Sequence, residues 1–276
     1  MAAVLTAPLF HSVELSKIQN MPAKSLSPRN RSLERGVDVL RAFRPGSALL
    51  GNAELAERTG LPRSTVSRLT QTLVGTGLLQ VDPATRAYRL APAVLTLAHA
   101  MRAGSQVLAL ASPLMRGTAQ AHKINVGLAA PDHDEMVYLE SHRYHPRPSQ
   151  RSVVSGQRVP MALTSLGRAY LAVAAPAEVK SRLQRWRKAR GPQWASLQTA
   201  IEQAGRDVTL HGYCAASWQH EVVALASPFQ HQGADYVLNV SVSTVKPLRL
   251  MAQELAPILL ALKLQIVQAL AHSQAQ

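Results

Sequence analysis

The polar side chains with the most regular spacing in this sequence lie in the segment RSTVSRLTQTL, residues 63–73. Val66, Leu69 and Leu73 recur at i, i+3 and i+7, which is the spacing of one buried stripe on a helix. The polar residues of the segment then lie off that stripe: Arg63, Ser64, Thr65, Ser67, Arg68 and Gln71. Short hydroxyls and arginines near a helix N-terminus donate hydrogen bonds to phosphates and base edges. The spacing therefore predicts a helix that binds duplex DNA in the major groove.

The segment before this helix predicts another helix and a tight turn. Asn52 is expected to be the N-cap of the earlier helix, and Leu55 belongs to its apolar face. Gly60 should end that helix, because glycine enters the left-handed conformation without a Cβ penalty. Pro62 is expected at the first position of the next helix, where its φ is already set. A short helix, a tight turn and a polar-faced second helix are typical of a helix-turn-helix.

Two short segments after Gly77, residues 78–81 and 87–90, predict strands around a turn at 82–85. Such a hairpin beside a helix-turn-helix is a wing. Arg86 and Arg89 on it are expected to reach a phosphate or the minor groove. The alternative is a structural helical hairpin whose polar face is only solvated.

One more helix is predicted at the start of this unit. Ser32 is expected to cap it, and its apolar face would comprise Leu33, Val37, Leu40 and Phe43. Arg35 lies off that face and is a further candidate for a DNA contact. Residues 1–30 mix Pro, Ser, Lys and Asn without periodicity and are interpreted as a flexible N-terminal arm.

The segments SLERGVDVLRAF, AELAERTGLPRSTVSRLTQTL and YRLAP resemble the DNA-binding half of the IclR family of bacterial transcriptional regulators. The resemblance covers residues 32–91 and continues more loosely to the C-terminus. It implies a winged helix-turn-helix at residues 31–91, a linker helix at 92–104 that makes dimer contacts, and an effector-binding domain at 105–276. It also implies a homodimer or tetramer bound to double-stranded operator DNA.

Composition agrees with a nucleic-acid partner. The chain of 276 residues has a formal net charge of +14, which favours a polyanion. One cysteine excludes a disulfide framework within the chain and fits a reducing compartment, so a cytoplasmic location is expected. We see no signal peptide and no uninterrupted apolar run of about 18 residues, so no membrane span is expected.

The C-terminal part predicts an α+β fold. Residues 125–129 and 136–140 alternate as an antiparallel hairpin, and segments near 212–216, 222–229 and 236–244 are strands rich in β-branched residues. Residues 106–122 predict a helix interrupted at Pro113, and 247–272 a long final helix. An antiparallel sheet packed with helices is the economical assembly for such a sensor domain. The resemblance to the IclR family implies that this effector-binding domain is of the GAF or profilin type.

A search for catalytic chemistry finds no candidate site. Cys214 stands alone on a predicted strand, where a buried cysteine is usually a small core residue. His142 and His145 have no evident third metal ligand. There is no nucleophile elbow, phosphate-binding loop or dinucleotide fingerprint. We therefore expect a protein that is not an enzyme and has no metal or cofactor.

The segments GQRVPMALTSLGRAYLA, GYCAA, VVALASPF and LNVSVST resemble the family's effector-binding domain, in particular its aromatic-acid branch of the PcaR and PobR type. The resemblance implies a pocket lined by Met161, Ser165, Leu166, Ser217, Ala224, Ser241 and Ser243. Ser241 and Ser243 lie two apart on a strand and so face one side. With the helix start at Thr164 and Ser165 they could bind a carboxylate, or they could only satisfy backbone groups.

The chain departs from the family pattern around Trp218, where residues 212–228 are about two residues shorter and lack an acidic run. We expect a ligand-responsive DNA-binding transcriptional regulator, with a small organic acid as the effector. Two alternatives remain: a small-molecule enzyme with a helical dimerisation module, or a basic protein that binds DNA without sequence preference.

Overall fold

A computed structural model describes residues 30–144, 154–219 and 221–274. The expected arm at 1–30 and His145 lie outside these residues, apart from Asn30. The chain forms two compact units. The first comprises the described residues up to Phe43 together with Leu49–Leu90, and the second comprises Arg44–Ala48 and the described residues from Ala91 onward.

The first unit is a winged helix-turn-helix. Its elements are α1 (Arg31–Arg41), α2 (Asn52–Thr59), α3 (Arg63–Gly75), β1 (Leu79–Val81) and β2 (Tyr88–Leu90). The strands pair antiparallel, and Leu50 forms an isolated bridge to Tyr88. A small apolar core holds the three helices to the hairpin, through Val39, Leu50, Leu55, Val66, Leu73 and Leu79.

Two of the predicted helix starts were wrong by one or two residues. Asn30, and not Ser32, caps α1, because its Oδ1 accepts from the backbone N–H groups of Ser32 and Leu33. Gly51, and not Asn52, precedes α2, where the Glu54 carboxylate accepts from the Gly51 N–H at 3.3 Å. Any of several polar residues near a helix start can cap it, so local pattern alone does not choose among them.

The apolar face predicted for α1 was wrong in part. Val39 is fully buried, and Leu40 and Phe43 pack against the core. Leu33 and Val37 point to solvent, with Leu33 67% exposed. The buried face includes Gly36. Because glycine has no apolar side chain, a search for large apolar residues at helical spacing does not identify this face.

The second unit contains the linker helix and the sensor. Its helices are α4 (Ala93–Ala103), α5 (Gln106–His122), α6 (Ser165–Leu171), α7 (Pro176–Arg190), α8 (Trp194–His211) and α9 (Leu248–Gln274). Its strands are β3 (Asn125–Asp132), β4 (Glu135–His142), β5 (Arg158–Pro160), β6 (Cys214–Ala216), β7 (Val222–His231) and β8 (Ala234–Ser243).

All six sensor strands form one antiparallel sheet in the order β5-β4-β3-β8-β7-β6. Alternate residues of the central strands face opposite sides. Leu238 and Val240 pack on α5 and α9, whereas Val237 and Ala226 belong to the cluster that includes α6, α7 and α8. The sheet is therefore covered by helices on both faces, and the predicted α+β class is confirmed.

The interruption predicted at Pro113 was wrong, because α5 runs through it. A proline removes one helical hydrogen bond and normally kinks or ends a helix. Here Ala111, Met115 and Ala119 on the same helix are buried in the core, and that packing outweighs the local cost.

Helix α9 is the one helix in the described part of the chain that is long and apolar enough to cross a membrane. Two features place it in a protein core instead. Seven of its residues are buried, and they pack against the sheet with α5. Leu250, predicted on the apolar side, is half exposed because it lies off the buried stripe, which begins at the next residue, Met251.

Candidate DNA-binding and effector sites

The turn between α2 and α3 fixes the exposed end of α3. Gly60 ends α2 with a φ of 68°, the left-handed conformation predicted for it. Pro62 is the residue just before α3 and not its first residue. The Asn52 side-chain amide donates to the carbonyl of Arg63 at 3.3 Å, which ties the start of α2 to the start of α3.

The buried stripe of α3 holds it in place while its other face stays open. Val66 and Leu73 are buried in the core, and the buried hydroxyl of Thr70 donates to the Val66 carbonyl at 3.0 Å. Arg63, Ser64, Arg68 and Gln71 are exposed, and Thr65 and Ser67 are half-buried. Within the described part of the chain, Arg63 and Arg68 take part in no ion pair. Their guanidinium groups are available to an anionic partner.

In the wing, the two arginines differ in their surroundings. Asp82 accepts from the N–H and the hydroxyl of Thr85, each at 2.9 Å, and pairs with Arg89. The Thr85 N–H, with Arg89 nearby, holds the pKa of Asp82 below its usual range. Arg86 has a φ of 54° and is exposed. Arg89 is thus partly neutralised by Asp82, and Arg35 on α1 is exposed.

On the sensor sheet, the strand register places Ser241 beside Ala224, and both residues were predicted to line the effector pocket. Ser241 of β8 is paired with Asn125 of β3 on one side and with Ala224 of β7 on the other, and Ala224 is paired with Ala216 of β6. Paired residues face the same side of a sheet. This row, which we call the serine row, presents an amide and a hydroxyl beside two small side chains.

The next row of the same face is more buried. Asn239 is paired with Gly127 and Ala226, and the ring of Tyr138 lies over Gly127, where a Cβ would be 2.5 Å from the ring. Burial raises the pKa of Tyr138 to about 12, and the amide of Asn239 opposes that rise in part. Asn239 is 4% exposed, and its Oδ1 has no hydrogen-bond partner in the described part of the chain.

At the start of α6, the Thr164 hydroxyl is bonded within the protein, whereas the sequence suggested that it could help to bind a carboxylate. The Thr164 hydroxyl accepts from the Gly167 N–H at 3.2 Å and donates to the Pro160 carbonyl at 2.9 Å. It caps the helix and is not available to a ligand. Ser165 is buried, and its carbonyl accepts from the Cys214 thiol.

The remaining predicted pocket residues do not share one environment. Met161 and Leu166 are buried in the apolar cluster with Tyr138 and Ala226. Ser243 is exposed at the end of β8 and is paired with Val222. Ser217, just after β6, is exposed and donates to the Gln219 carbonyl. Trp218 beside it is 38% exposed.

The sequence did not indicate Asn125, Asn239 or Tyr138 as site residues. Asn239 and Ser241 alternate in LNVSVST and could have been assigned to one face by the period of a strand. Asn125 and Tyr138 come from other strands, and only the register places them beside that face.

The linker helix α4 has no buried residue, although it is mostly apolar. Leu95, Leu97 and Met101 are each more than half exposed. At its end Arg102 donates to the Leu139 carbonyl at 2.5 Å and to the Glu140 carboxylate at 2.6 Å. Burial is the largest single influence on Glu140 and would raise its pKa. The hydrogen bonds from Arg102 and from the Ser141 N–H, with the positive charge of Arg102, together outweigh burial, and the net shift of the pKa is downward.

A winged helix-turn-helix with an open basic face, followed by a separate α+β unit with a polar row on its sheet, defines a two-domain DNA-binding transcriptional regulator. The family models agree in both halves. Residues 32–83 match the IclR helix-turn-helix domain, and residues 99–270 match the bacterial transcriptional regulator IclR C-terminal domain. The chain belongs to the IclR family of bacterial transcriptional regulators, as its sequence predicted.

Characterised relatives are regulators as well. The chain is 33% identical over 237 residues to the HTH-type transcriptional regulator TsaQ1/TsaQ2 of Comamonas testosteroni, covering 83% of this chain and 84% of the relative. It is 28% identical over 217 residues to the Pca regulon regulatory protein of Pseudomonas putida, covering 77% and 74%. These are transcriptional regulators and not enzymes, which confirms that prediction.

Solved structures share the fold over most of their length. An IclR family transcriptional regulator from Brucella abortus matches with a TM-score of 0.78 and 33% identity, over 90% of this chain and 94% of that one. An IclR homolog from Microbacterium hydrocarbonoxydans, complexed with 4-hydroxybenzoate, matches with a TM-score of 0.64 and 25% identity, over 87% and 99%.

Proposed function

We propose that this regulator senses a small aromatic acid on the sheet face that carries the serine row and changes its operator affinity in response. The observation that carries this proposal is the row itself, in which Asn125 and Ser241 offer neutral polar groups beside the small Ala224 and Ala216. Small side chains leave room for a ligand, and neutral donors fix its orientation. The likeness to the Pca regulon regulator and to the 4-hydroxybenzoate complex supports an aromatic acid of that branch.

In this proposal the carboxylate is bound by Ser241 and Ser243, with Asn125 added to the residues that the sequence suggested. Met161, Leu166 and Ala224 would contact the apolar ring, and Ser165 and Ser217 would border the pocket. The neutral phenol of Tyr138 and the unpaired Asn239 oxygen lie one row further in. They suit a ring hydroxyl better than a second carboxylate, because buried neutral groups do not compensate a second charge.

For DNA we propose that α3 enters the major groove. Arg63, Ser64, Thr65, Ser67, Arg68 and Gln71 would contact bases and phosphates there, while Arg86, Arg89 and Arg35 would contact the backbone. Since Arg89 already pairs with Asp82, its contribution to DNA affinity is expected to be smaller than that of Arg86.

We further propose a cytoplasmic homodimer or tetramer. The apolar, unburied face of α4 is the supporting observation, because contiguous exposed apolar surface of this kind favours association.

The test is operator binding with and without an acid. Binding to the DNA upstream of the gene, against a scrambled duplex at about 150 mM salt, separates sequence preference from charge attraction. Titration with 4-hydroxybenzoate, protocatechuate and aliphatic acids then shows which compound shifts the affinity. We expect Ser241→Ala with Ser243→Ala to weaken the response roughly tenfold and to leave binding without acid unchanged.

Ser196→Ala on the exposed surface of α8 is the matched control, and it should respond as the wild type does. Loss of DNA binding in the double variant would indicate misfolding. An unchanged response would remove the serine row from the effector site. Equal binding to both duplexes would favour the basic binder without sequence preference.

A further inference from the structure

A concave surface lies on the sensor, and none of the residues of the serine row lines it. It is a cleft of about 500 Å³ between the end of α6, helix α7 and the start of α8, which we call the α7–α8 cleft. This volume is within the range of small-molecule sites. Its apolar lining includes Leu171, Ala172, Ala174, Val179, Leu183 and Trp194.

The floor of the cleft is part of the protein core, whereas its walls are partly open. Trp194 and Leu171 are buried, and Val179 and Leu183 are half-buried members of the same apolar cluster. The cleft therefore presents apolar surface that a ligand could remove from water. Removal of such apolar surface from water favours binding.

Two cations lie on one rim of this cleft. Lys180 and Arg187 line it and are seven residues apart on α7, so they project from one side of the helix, roughly 10 Å apart along its axis. Within the described part of the chain neither takes part in an ion pair. By contrast, Arg182 on the same helix pairs with Glu178 and Asp134, and Arg185 pairs with Asp134.

The composition of α7 explains why these cations lack a partner. The helix has six cationic side chains and a single carboxylate, Glu178, and that carboxylate pairs with Arg182. The cations at the cleft rim are thus left without an internal anion, directly beside an apolar floor. An anionic group on an apolar body complements both features at once.

We propose that the α7–α8 cleft is a second ligand site, for an amphipathic carboxylate with a straight alkyl chain. The carboxylate would lie between Lys180 and Arg187, and the alkyl chain would lie along Leu183 and Trp194. An open groove along a helix suits an extended chain. This site does not depend on the effector proposal, because it shares no residue with the serine row.

The experiment is calorimetric titration of the full chain with octanoate and, for comparison, with 1-octanol. We expect octanoate to bind more tightly than the alcohol. Ala174→Trp fills the cleft and should abolish octanoate binding. Lys180→Gln with Arg187→Gln should weaken octanoate binding about fivefold, since exposed charge contacts are individually modest, and should leave octanol unchanged.

Lys188→Gln with Arg190→Gln is the matched control, because it removes the same two kinds of charge from α7 outside the cleft lining. It should bind octanoate as the wild type does, and so should Ser241→Ala with Ser243→Ala. Circular dichroism and unaltered operator binding verify that each variant is folded.

Several results would overturn the proposal. Among them are an absence of octanoate binding by the wild type, full binding by folded Ala174→Trp, and equal weakening by the two charge-neutralised variants. Loss of binding in the serine variant would instead locate octanoate in the effector pocket, and would equally overturn a second site.

Discussion

At the scale of single residues, the arginines of the DNA-binding unit fall into two groups. Arg58 donates to the Ala42 carbonyl at 3.0 Å and lies 3.8 Å from Glu54, so it stabilises the fold. Arg89 pairs with Asp82 within the wing. Arg63 and Arg68 on α3 are exposed and have no ion pair in the part of the chain that is described. The unpaired group is where we expect DNA affinity to be concentrated.

Arg68→Ala tests this assignment. We expect it to weaken operator binding by roughly 1–3 kcal/mol and to relax sequence preference at one position, because a base contact is lost. Fluorescence anisotropy with a labelled operator and a scrambled duplex measures both effects. Arg206→Ala, on the exposed surface of α8, is the control for loss of charge alone. An unchanged operator affinity for Arg68→Ala would exclude this side chain as a contact.

A second residue-scale prediction concerns the single cysteine. Cys214 is fully buried, and burial raises the pKa of its thiol to about 12. We expect native protein at pH 8 to react with a thiol reagent at least roughly a hundredfold more slowly than protein unfolded in urea, because the thiolate reacts and the thiol does not. Kinetics with Ellman's reagent measure this difference.

The control carries Ser217→Cys in a Cys214→Ala background, which places an exposed thiol near the same strand and should react quickly. Equal rates for native and unfolded wild type would contradict the buried, neutral thiol. Because the pKa of Cys214 is higher in the folded protein, the neutral thiol contributes to the free energy of unfolding. This contribution is complete below about pH 9 and is lost as the pH rises toward about 12.

At the scale of elements, α6 is positioned by a close backbone contact. A Cβ on Gly167 would lie well under 3.0 Å from backbone atoms of Met161, and backbone cannot rotate away as a side chain can. The short helix can therefore approach the segment before it only because residue 167 has no side chain. That approach brings Ser165, Leu166 and Met161 against the sheet.

Gly167→Ala should destabilise the sensor by about 3 kcal/mol or more, at the upper end for overpacking. Gly117→Ala, in the middle of α5 with nothing within 4 Å of the added Cβ, is the matched control. It should stabilise by roughly 0.5–1 kcal/mol, since alanine favours helix. Urea unfolding of both variants tests the contrast, and equal stabilities would refute it.

The attachment of the linker helix gives another element-scale prediction. Arg102 bonds the end of α4 to Leu139 and Glu140 of β4. Arg102→Ala should speed amide exchange in α4 roughly fivefold, because a charged but partly exposed contact is removed. Hydrogen exchange followed by mass spectrometry measures it. Arg116→Ala on α5 is the control, and identical exchange in α4 for both variants would show that Arg102 does not hold the helix.

At the scale of the whole molecule, the exposed apolar residues of α4 bear on whether copies of the chain associate. Helix α4 exposes Leu97 and Met101, which lie on one side with Val94 at helical spacing. Thr96 and His99 lie on the other side. An apolar stripe without an internal partner is consistent with the proposed association of two copies.

Leu97→Glu with Met101→Glu should therefore convert the oligomer to a monomer and reduce operator affinity at least tenfold, because two linked DNA-binding units bind with higher avidity than one. Analytical ultracentrifugation and operator titration measure the two quantities. Thr96→Glu with His99→Glu keeps the same charge change on the opposite side and should leave both unchanged. A monomeric wild type, or an oligomeric Leu97→Glu/Met101→Glu variant, would refute the role of α4.

The sequence by itself determined the elements whose signals are local. Gly60 ends α2 with a positive φ, and Val66 and Leu73 form the buried stripe of α3 because turn conformation and helical period involve only near neighbours. The wing and the strands β7 and β8 also followed from short patterns of turn and β-branched residues. These elements were sufficient to predict the fold class and the DNA-binding function.

Only the tertiary structure decided which side chains meet. Pairing of β8 with β3 and β7 puts Asn125 and Ala224 beside Ser241, although up to 116 positions separate them in the chain. The Cys214 thiol likewise donates to the carbonyl of Ser165, although 49 positions separate the two residues. Register and hydrogen-bond partners are chosen by non-local burial and competition among neighbours, and a pattern of residue types does not contain that information.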